Sequence, residues 1–507
     1  MARDTPDSSA EARAEAAPSR RRLIRGVLAL MAGTTAAQAV SLLLSPVLTR
    51  LFGPEAFGLL GVFMSLAAVA ASISTLRYEM AVVLPDGDRD GAAVAALSLG
   101  VSALFAAFVL PVVVVFGDPL AREIQAGDAS RWLWLIPLVI LAEAITRTLR
   151  YWGTRRAWYG QVASLAVLQV AATLVVSLSI GAWGVAPLGG LVVGYTAGAA
   201  VVGIGWCVTA MRRDGTLFRS GAWRSRVVPV AREFQRLPRY ALPSGLLNAV
   251  SIAVLPILLA RAFGLEVAGF VLLVTRVLQR PVEILVQSLW QVVHSRLAAL
   301  ARDAQRRLVV ESHQIVAAAL ALPLAGVCAF APFLDELFGA DWTALPPFVA
   351  PLTVMVFANA VSNASSYFAA FRRFRAEAAT NIVLGTVRVL AVAVGVAGAD
   401  PVAAVWWYAG VSAAFYVGLN LWWSRQLGRT AVMVRNVAVP TVLAVGVGGA
   451  TAWVLADHGL VMAGGVYLLG GGVYAAVCVP RELVVRYLRR GDAPHPIDER
   501  PADEDPE

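Results

Sequence analysis

The chain has 507 residues, 58% of them hydrophobic and only 15% charged, with a mean hydropathy of +0.70 and a formal net charge of +9. Soluble domains are about half apolar and about a quarter charged, so this composition excludes an ordinary soluble fold. All 42 basic residues are Arg, which removes any mechanism that needs a P-loop or Schiff-base Lys and, with the Ala, Val, Leu and Gly bias, fits a GC-rich bacterial genome.

Residues 1–22 are rich in Ala, Ser, Asp and Glu and read as a disordered cytoplasmic N-terminus. Apolar stretches of about 20 residues, the length that spans a bilayer core, then fall near 23–48, 56–76, 91–116, 131–149, 158–180, 185–210, 241–262, 266–292, 307–333, 345–370, 376–397, 401–423, 435–455 and 459–480. The sequence therefore predicts an all-α polytopic membrane protein with about 14 transmembrane helices. The first stretch is too long for the apolar core of a signal peptide, about 7 to 15 residues. No ten-residue alternation suggests an outer-membrane barrel. A tail at 491–507, GDAPHPIDERPADEDPE, is acidic, Pro-rich and expected to be disordered.

Arginine placement orients the chain. With the N-terminus inside, Arg50, Arg122, Arg131 and Arg261 are left outside, while the segment 211–240 carries Arg212, Arg213, Arg219, Arg224, Arg226, Arg232, Arg236 and Arg239 on the inside. This obeys the positive-inside rule and returns the C-terminus to the cytoplasm. The basic charge belongs to loops that face anionic lipid headgroups, and nucleic acid is not an expected partner.

An internal repeat divides the chain. Arg50, Phe52, Gly53, Glu55 and Gly58 recur as Arg261, Phe263, Gly264, Glu266 and Gly269 at a constant offset, 261 − 50 = 211, and Pro46 recurs one residue early as Pro256. Both copies of R-x-F-G-x-E-x-x-G close an odd-numbered span. Six spans separate them, so the repeats are parallel. The expected organisation is a six-helix bundle over 23–210, a basic cytoplasmic linker over 211–240, a second six-helix bundle over 241–423, and two additional helices over 435–480. Parallel repeats imply two bundles around a central cavity and alternating access, the plan of a transporter.

Charges inside spans are costly and mark function by default. Arg276 and Arg280 lie four apart in the eighth span and Arg388 lies centrally in the eleventh, positioned to offer guanidinium forks to a phosphorylated cargo. The competing reading is internal pairing with Glu283. Glu143 and Arg147 form a similar i, i+4 pair, with Arg147 expected to snorkel to the interface. Gln38, Gln169, Asn248, Gln287, Gln291, Asn363, Asn381 and Asn420 are either a sugar-lining set or interhelical glue, and Asn381 shares a helix face with Arg388. Trp and Tyr near span ends read as interfacial belts. Arg25, at the start of the first span, is either a portal contact or a positive-inside anchor. Cys207, Cys328 and Cys478 and the four histidines, His294, His313, His458 and His495, form no disulfide or metal-binding pattern. No cofactor and no metal are expected.

The stretches LxxPxLTRLFGPEAFGLLGVF at 43–63, LRYEMAVVLP at 76–85, RYALPSGLLNAV at 239–250 and TRVLQRPVEILVQSLWQVVHSRLAAL at 275–300 resemble polysaccharide-biosynthesis flippases of the multidrug/oligosaccharidyl-lipid/polysaccharide exporter superfamily. The resemblance covers essentially 21–430. It implies movement of an undecaprenyl-pyrophosphate-linked oligosaccharide from the cytoplasmic to the outer leaflet of the bacterial inner membrane. It also implies a cationic cavity for the pyrophosphate and work beside a polysaccharide polymerase and glycosyltransferases. Arg276 sits at a position that the family motif matches, and Arg280 replaces a commonly apolar residue. Arg77 and Glu79, in the matched LRYE stretch, are then an inner gate or a headgroup contact, or else a simple interfacial anchor.

Two other functions compete. A drug or cation antiporter of the same superfamily needs a deep acidic coupling site, for which Glu143 and Glu283 are the candidates, but intramembrane Arg favours anionic cargo. A membrane polymerase or glycosyltransferase usually displays a large outside loop with acidic or His residues, and no outside loop exceeds about 15 residues in this span assignment. A non-enzymatic transporter is the expectation.

Overall fold

The computed structural model describes residues 35–123, 130–297, 302–362, 368 and 374–478. Among these the secondary structure is helical throughout. The principal helices are α1 (Ser45–Leu51, preceded by helical residues 35–43), α2 (Pro54–Ser74), α3 (Asp88–Glu123), α4 (Ile136–Arg155), α5 (Tyr159–Trp183), α6 (Gly190–Arg213), α7 (Leu242–Phe263), α8 (Leu265–Leu297), α9 (Arg302–Ala329), α10 (Val349–Ser362), α11 (Phe374–Ala397), α12 (Pro401–Gln426), α13 (Thr430–His458) and α14 (Leu460–Cys478). Among the described residues, eleven helices are long and apolar enough to cross a membrane. The long α8 is not one of them, because Arg276, Arg280, Glu283 and its glutamines dilute its apolar character.

Two compact units form. Of the described residues, one contains those up to 297 and those within 330–423, and the other those of 302–329 and 424–478. In the second unit α9, α13 and α14 pack together. Pro323 interrupts the hydrogen-bond ladder of α9. Beside it, the Tyr467 hydroxyl donates to the Leu322 carbonyl at 3.0 Å and the Tyr474 hydroxyl to the Ala318 carbonyl at 2.8 Å.

The first unit is organised around the two motif copies, which meet each other. Pro54 occupies the first turn of α2 after the extended Gly53, and Glu55 lies in that turn, where a carboxylate complements the helix dipole. Glu266 does the same for α8, after Gly264 at φ +91°. The two helices then cross at their starts. A β-carbon on Gly58 would overlap the Leu265 carbonyl, and one on Gly269 would overlap the Pro54 carbonyl. Pro54 and Leu265 are themselves equivalent under the repeat offset, so the crossing is symmetric. Trp342, fully buried, covers it: its indole donates to the Thr49 carbonyl at 3.1 Å and its ring meets Phe57 and Phe270 edge-on at 5.2 and 5.8 Å. The motif arginines take different partners. Arg50 donates to the Glu336 carbonyl at 3.1 Å, and Arg261 pairs with Glu123 at 3.1 Å.

The segment expected to be a linker, 211–240, is folded. It forms the helices Gly215–Ser220 and Val227–Glu233 and a π-turn, Leu237–Ala241, that runs directly into α7. Leu217, Phe218, Trp223, Val227, Phe234 and Leu237 pack on a core containing Trp152, Trp206 and Ala92 to Ala95. Asp214 accepts from Trp152 Nε1 and Arg156 Nε, both at 2.9 Å, and Arg226 makes a fork with Asp90 at 2.5 and 3.0 Å. Burial holds the Tyr78 phenol above its ordinary range, so it stays protonated and donates to the Ala231 carbonyl at 3.2 Å. Arginine spacing shows the charge of this segment, but its intervening apolar residues are too few for the periodicity of a long helix.

Candidate functional site

A cavity of about 620 Å³ lies in the first unit. On α2 its wall is the stripe Gly61, Met64, Ser65, Ala68 and Ser72, spaced as one helix face; Arg77 from the turn after α2, Arg147 from α4, Phe368, and residues of α7, α8, α10, α11 and α12 supply the rest. Small residues on α2 leave the space, and polar groups project from the other helices. Arg77, Arg147 and Arg388 line this single cavity together with Asn248, Gln279, Asn359, Asn381 and Glu377.

Arg388 is held rigidly. It is 6% exposed, donates from Nε to Ser412 Oγ at 2.9 Å and from Nη2 to the Tyr416 hydroxyl at 3.1 Å, and lies over the Tyr408 and Tyr416 rings at 5.3 and 5.7 Å. Ser412 in turn donates to the Tyr408 carbonyl at 2.7 Å. Tyr408, Ser412 and Tyr416 are four residues apart and form one face of α12, so the helix presents a ready-made seat for a guanidinium. These partners are hydroxyls and rings, so they orient the cation without neutralising it.

Arg147 and Arg77 are backed by carboxylates outside the cavity lining. Arg147 lies 3.8 Å from Glu143 and donates to the Ala71 carbonyl at 3.2 Å. Arg77 lies 3.9 Å from Glu79, which is 2% exposed and accepts from Thr75 Oγ1 at 2.5 Å.

Of the residues singled out from sequence, Arg388, Asn381, Asn248 and Arg77 therefore share one cavity. Arg280, Glu283 and Gln287 line a second cavity of about 540 Å³ with Gln38, Arg150 and Gln169, and Arg280 pairs with Glu283 at 3.2 Å. Arg276 lines neither: its Nη2 donates to Ser41 Oγ of the first helical segment at 2.7 Å. Glu143 acts behind Arg147, with the Tyr195 hydroxyl 3.5 Å away. Arg25, Asn363 and the Gln291 side chain lie outside the described residues. Arg147, whose charge the sequence leaves to an interfacial role, is held by Glu143 and the Ala71 carbonyl and lines the cavity. Sequence reasoning also missed Glu377 and the Tyr408–Tyr416 seat. The signal for the seat was the four-residue spacing of Tyr408, Ser412 and Tyr416 through the middle of a span.

A family model described as polysaccharide biosynthesis protein matches residues 47–347. The fold is similar to that of the lipid II flippase MurJ in an inward closed conformation, with a TM-score of 0.62 and 10% identity, covering 89% of this chain and 99% of that one. It is also similar to an inward-facing multidrug resistance MATE family transporter of the MOP superfamily, with a TM-score of 0.55 and 15% identity, covering 79% and 95%. No curated protein matches the chain in sequence. The chain belongs to the polysaccharide biosynthesis protein family and is a multi-pass helical membrane protein with the fold of those two proteins.

Proposed function

We propose that this protein is a flippase that moves an undecaprenyl-pyrophosphate-linked oligosaccharide from the cytoplasmic to the outer leaflet of the bacterial inner membrane, for O-antigen, capsule or exopolysaccharide assembly. The observation that carries the proposal is the convergence of Arg77, Arg147 and Arg388 with Asn248, Asn359 and Asn381 on one cavity. Guanidinium forks match the oxygens of a pyrophosphate, and they bind it more strongly in a wall of low dielectric than in water. Amide side chains supply donors and acceptors to sugar hydroxyls. The volume suits the pyrophosphate and its first sugars, within the range of about 300 to 1,000 Å³ typical of small-molecule sites. The polyprenyl chain then remains in lipid.

In this reading the chain crosses the membrane fourteen times, with both termini and the segment 211–240 in the cytoplasm. The symmetric crossing at Gly58 and Gly269 closes the outer end, and six-helix bundles over 23–210 and 241–423 rock about it. The sequence holds no Walker motif, so an ion gradient, the membrane potential or consumption of the cargo by a polymerase drives the movement. Glycosyltransferases supply the cargo.

Deletion of the gene tests this. A lipid-linked oligosaccharide should accumulate in the cytoplasmic leaflet and be cleared by the wild-type gene but not by Arg388→Ala. The cation-antiport reading draws on Glu377 in the same wall. Unchanged lipid carriers with lost drug resistance, restored by wild type and not by Glu377→Gln, would replace the flippase reading with that one.

A further inference from the structure

The turn that ends α2 is unusual. Leu76 and Arg77 both adopt left-handed backbone, at φ +50° and +65°, a conformation that side-chain-bearing residues rarely take, let alone in succession. Its effect is to send the Arg77 side chain across to the start of α7. There the guanidinium rests on Gly245, where a β-carbon would overlap Arg77 Nη2. Only glycine admits this seat.

The seat is electrostatically incomplete. Nε of Arg77 is buried and has no hydrogen-bond partner among the described residues. The nearest carboxylate, Glu79, is 3.9 Å away, beyond hydrogen-bond length, and is already engaged by Thr75. A buried donor left unsatisfied is a standing cost that a new acceptor removes. Arg77 also lines the cavity, where Arg147, Arg388 and Glu377 are the charged neighbours. Because Arg77 is part of the cavity lining, an anionic group that enters the cavity can supply the missing acceptor and pair with the charge at once.

We propose that Arg77 is a ligand-sensing latch: seated on Gly245 it bars the cavity between the end of α2 and the start of α7, and a phosphate or pyrophosphate group entering the cavity draws it off the glycine. This deepens the flippase reading and rests on it for the nature of the anion. It assigns Gly245 a specific task, since any larger residue there unseats the latch. It also makes opening conditional on cargo, because the ligand shifts the equilibrium only through its preference for the unlatched state.

The test uses the full-length protein in inside-out vesicles, with Cys207, Cys328 and Cys478 replaced by Ser and Ala249→Cys as a reporter in the cavity wall. A membrane-impermeant maleimide reports access. Arg77→Ala and Gly245→Ala should each raise the labelling rate about tenfold, as for a state lifted from a tenth of the population to dominance. Inorganic pyrophosphate should raise the rate in the parent protein and leave Arg77→Ala unchanged. Undecaprenyl pyrophosphate in the vesicle membrane should do the same if the lipid-borne group is the trigger. A response to inorganic pyrophosphate alone makes the trigger the free anion. An Arg77→Ala rate equal to the parent's, or a pyrophosphate response that survives Arg77→Ala, overturns the latch. Should Gly245→Ala fail to fold, the Arg77→Ala comparison decides alone. Loss of the flippase reading shows differently: labelling still responds to pyrophosphate while no oligosaccharide crosses the membrane.

Discussion

Arg388 shows how a single residue can be both buried and free to act. Its Nε and one Nη are spent on Ser412 and Tyr416, which fix the plane of the guanidinium, and two tyrosine rings lie against it without cancelling its charge. A lysine at this position keeps the charge and loses the fork. Arg388→Lys is therefore expected to lower transport about tenfold, the loss that accompanies about 1.4 kcal/mol of binding, with little change in the amount of folded protein. Transport measured at equal membrane abundance checks this, and wild-type activity in the lysine variant would show that charge alone suffices. Arg388 and Asn381 were legible in the sequence because polar groups inside an apolar span need a reason to be there. Arg276 looked equivalent to Arg388, and its hydrogen bond to Ser41, 235 residues away, has no local signature. Gly245 was illegible for the opposite reason: in a glycine-rich chain one more glycine carries no information until its neighbour is seen.

At the scale of elements, the α2–α8 crossing ties the repeat to its physical cause. The sequence shows that Gly58 and Gly269 recur, and the structure shows each receiving the backbone of the other copy. Because carbonyls cannot rotate away as side chains do, Gly58→Ala and Gly269→Ala are expected to destabilise by about 1 to 3 kcal/mol each, the range for overpacked sites, and by similar amounts because the crossing is symmetric. Gly100, inside α3 with open space around it, is the control. There Gly→Ala is expected to be neutral or to stabilise by about 0.5 to 1 kcal/mol. Thermal unfolding of the purified variants in one detergent separates these outcomes. The positions of the long helices were readable from apolar runs. The fold of 211–240 was not, since its stability comes from Trp152, Arg156 and Asp90 on other elements rather than from its own pattern.

For the whole molecule, the α2–α8 crossing at one end of α2, the Arg77 contact at its other end and the arginine-lined cavity are, in the proposed flippase, one state of a cycle of at least two. In that proposed cycle the Gly58–Gly269 crossing parts while the Arg77 end stays shut. The central claim is that this cavity carries a lipid-linked oligosaccharide across the bilayer, and reconstitution tests it most directly. Purified protein is placed in vesicles loaded with undecaprenyl-pyrophosphate-linked oligosaccharide, and sugar exposed on the far leaflet is measured with a membrane-impermeant glycosidase or lectin. The account predicts exposure that depends on wild-type protein and falls to the background of empty vesicles with Arg388→Ala. Equal exposure with and without the protein, or undiminished exposure with Arg388→Ala, would contradict it.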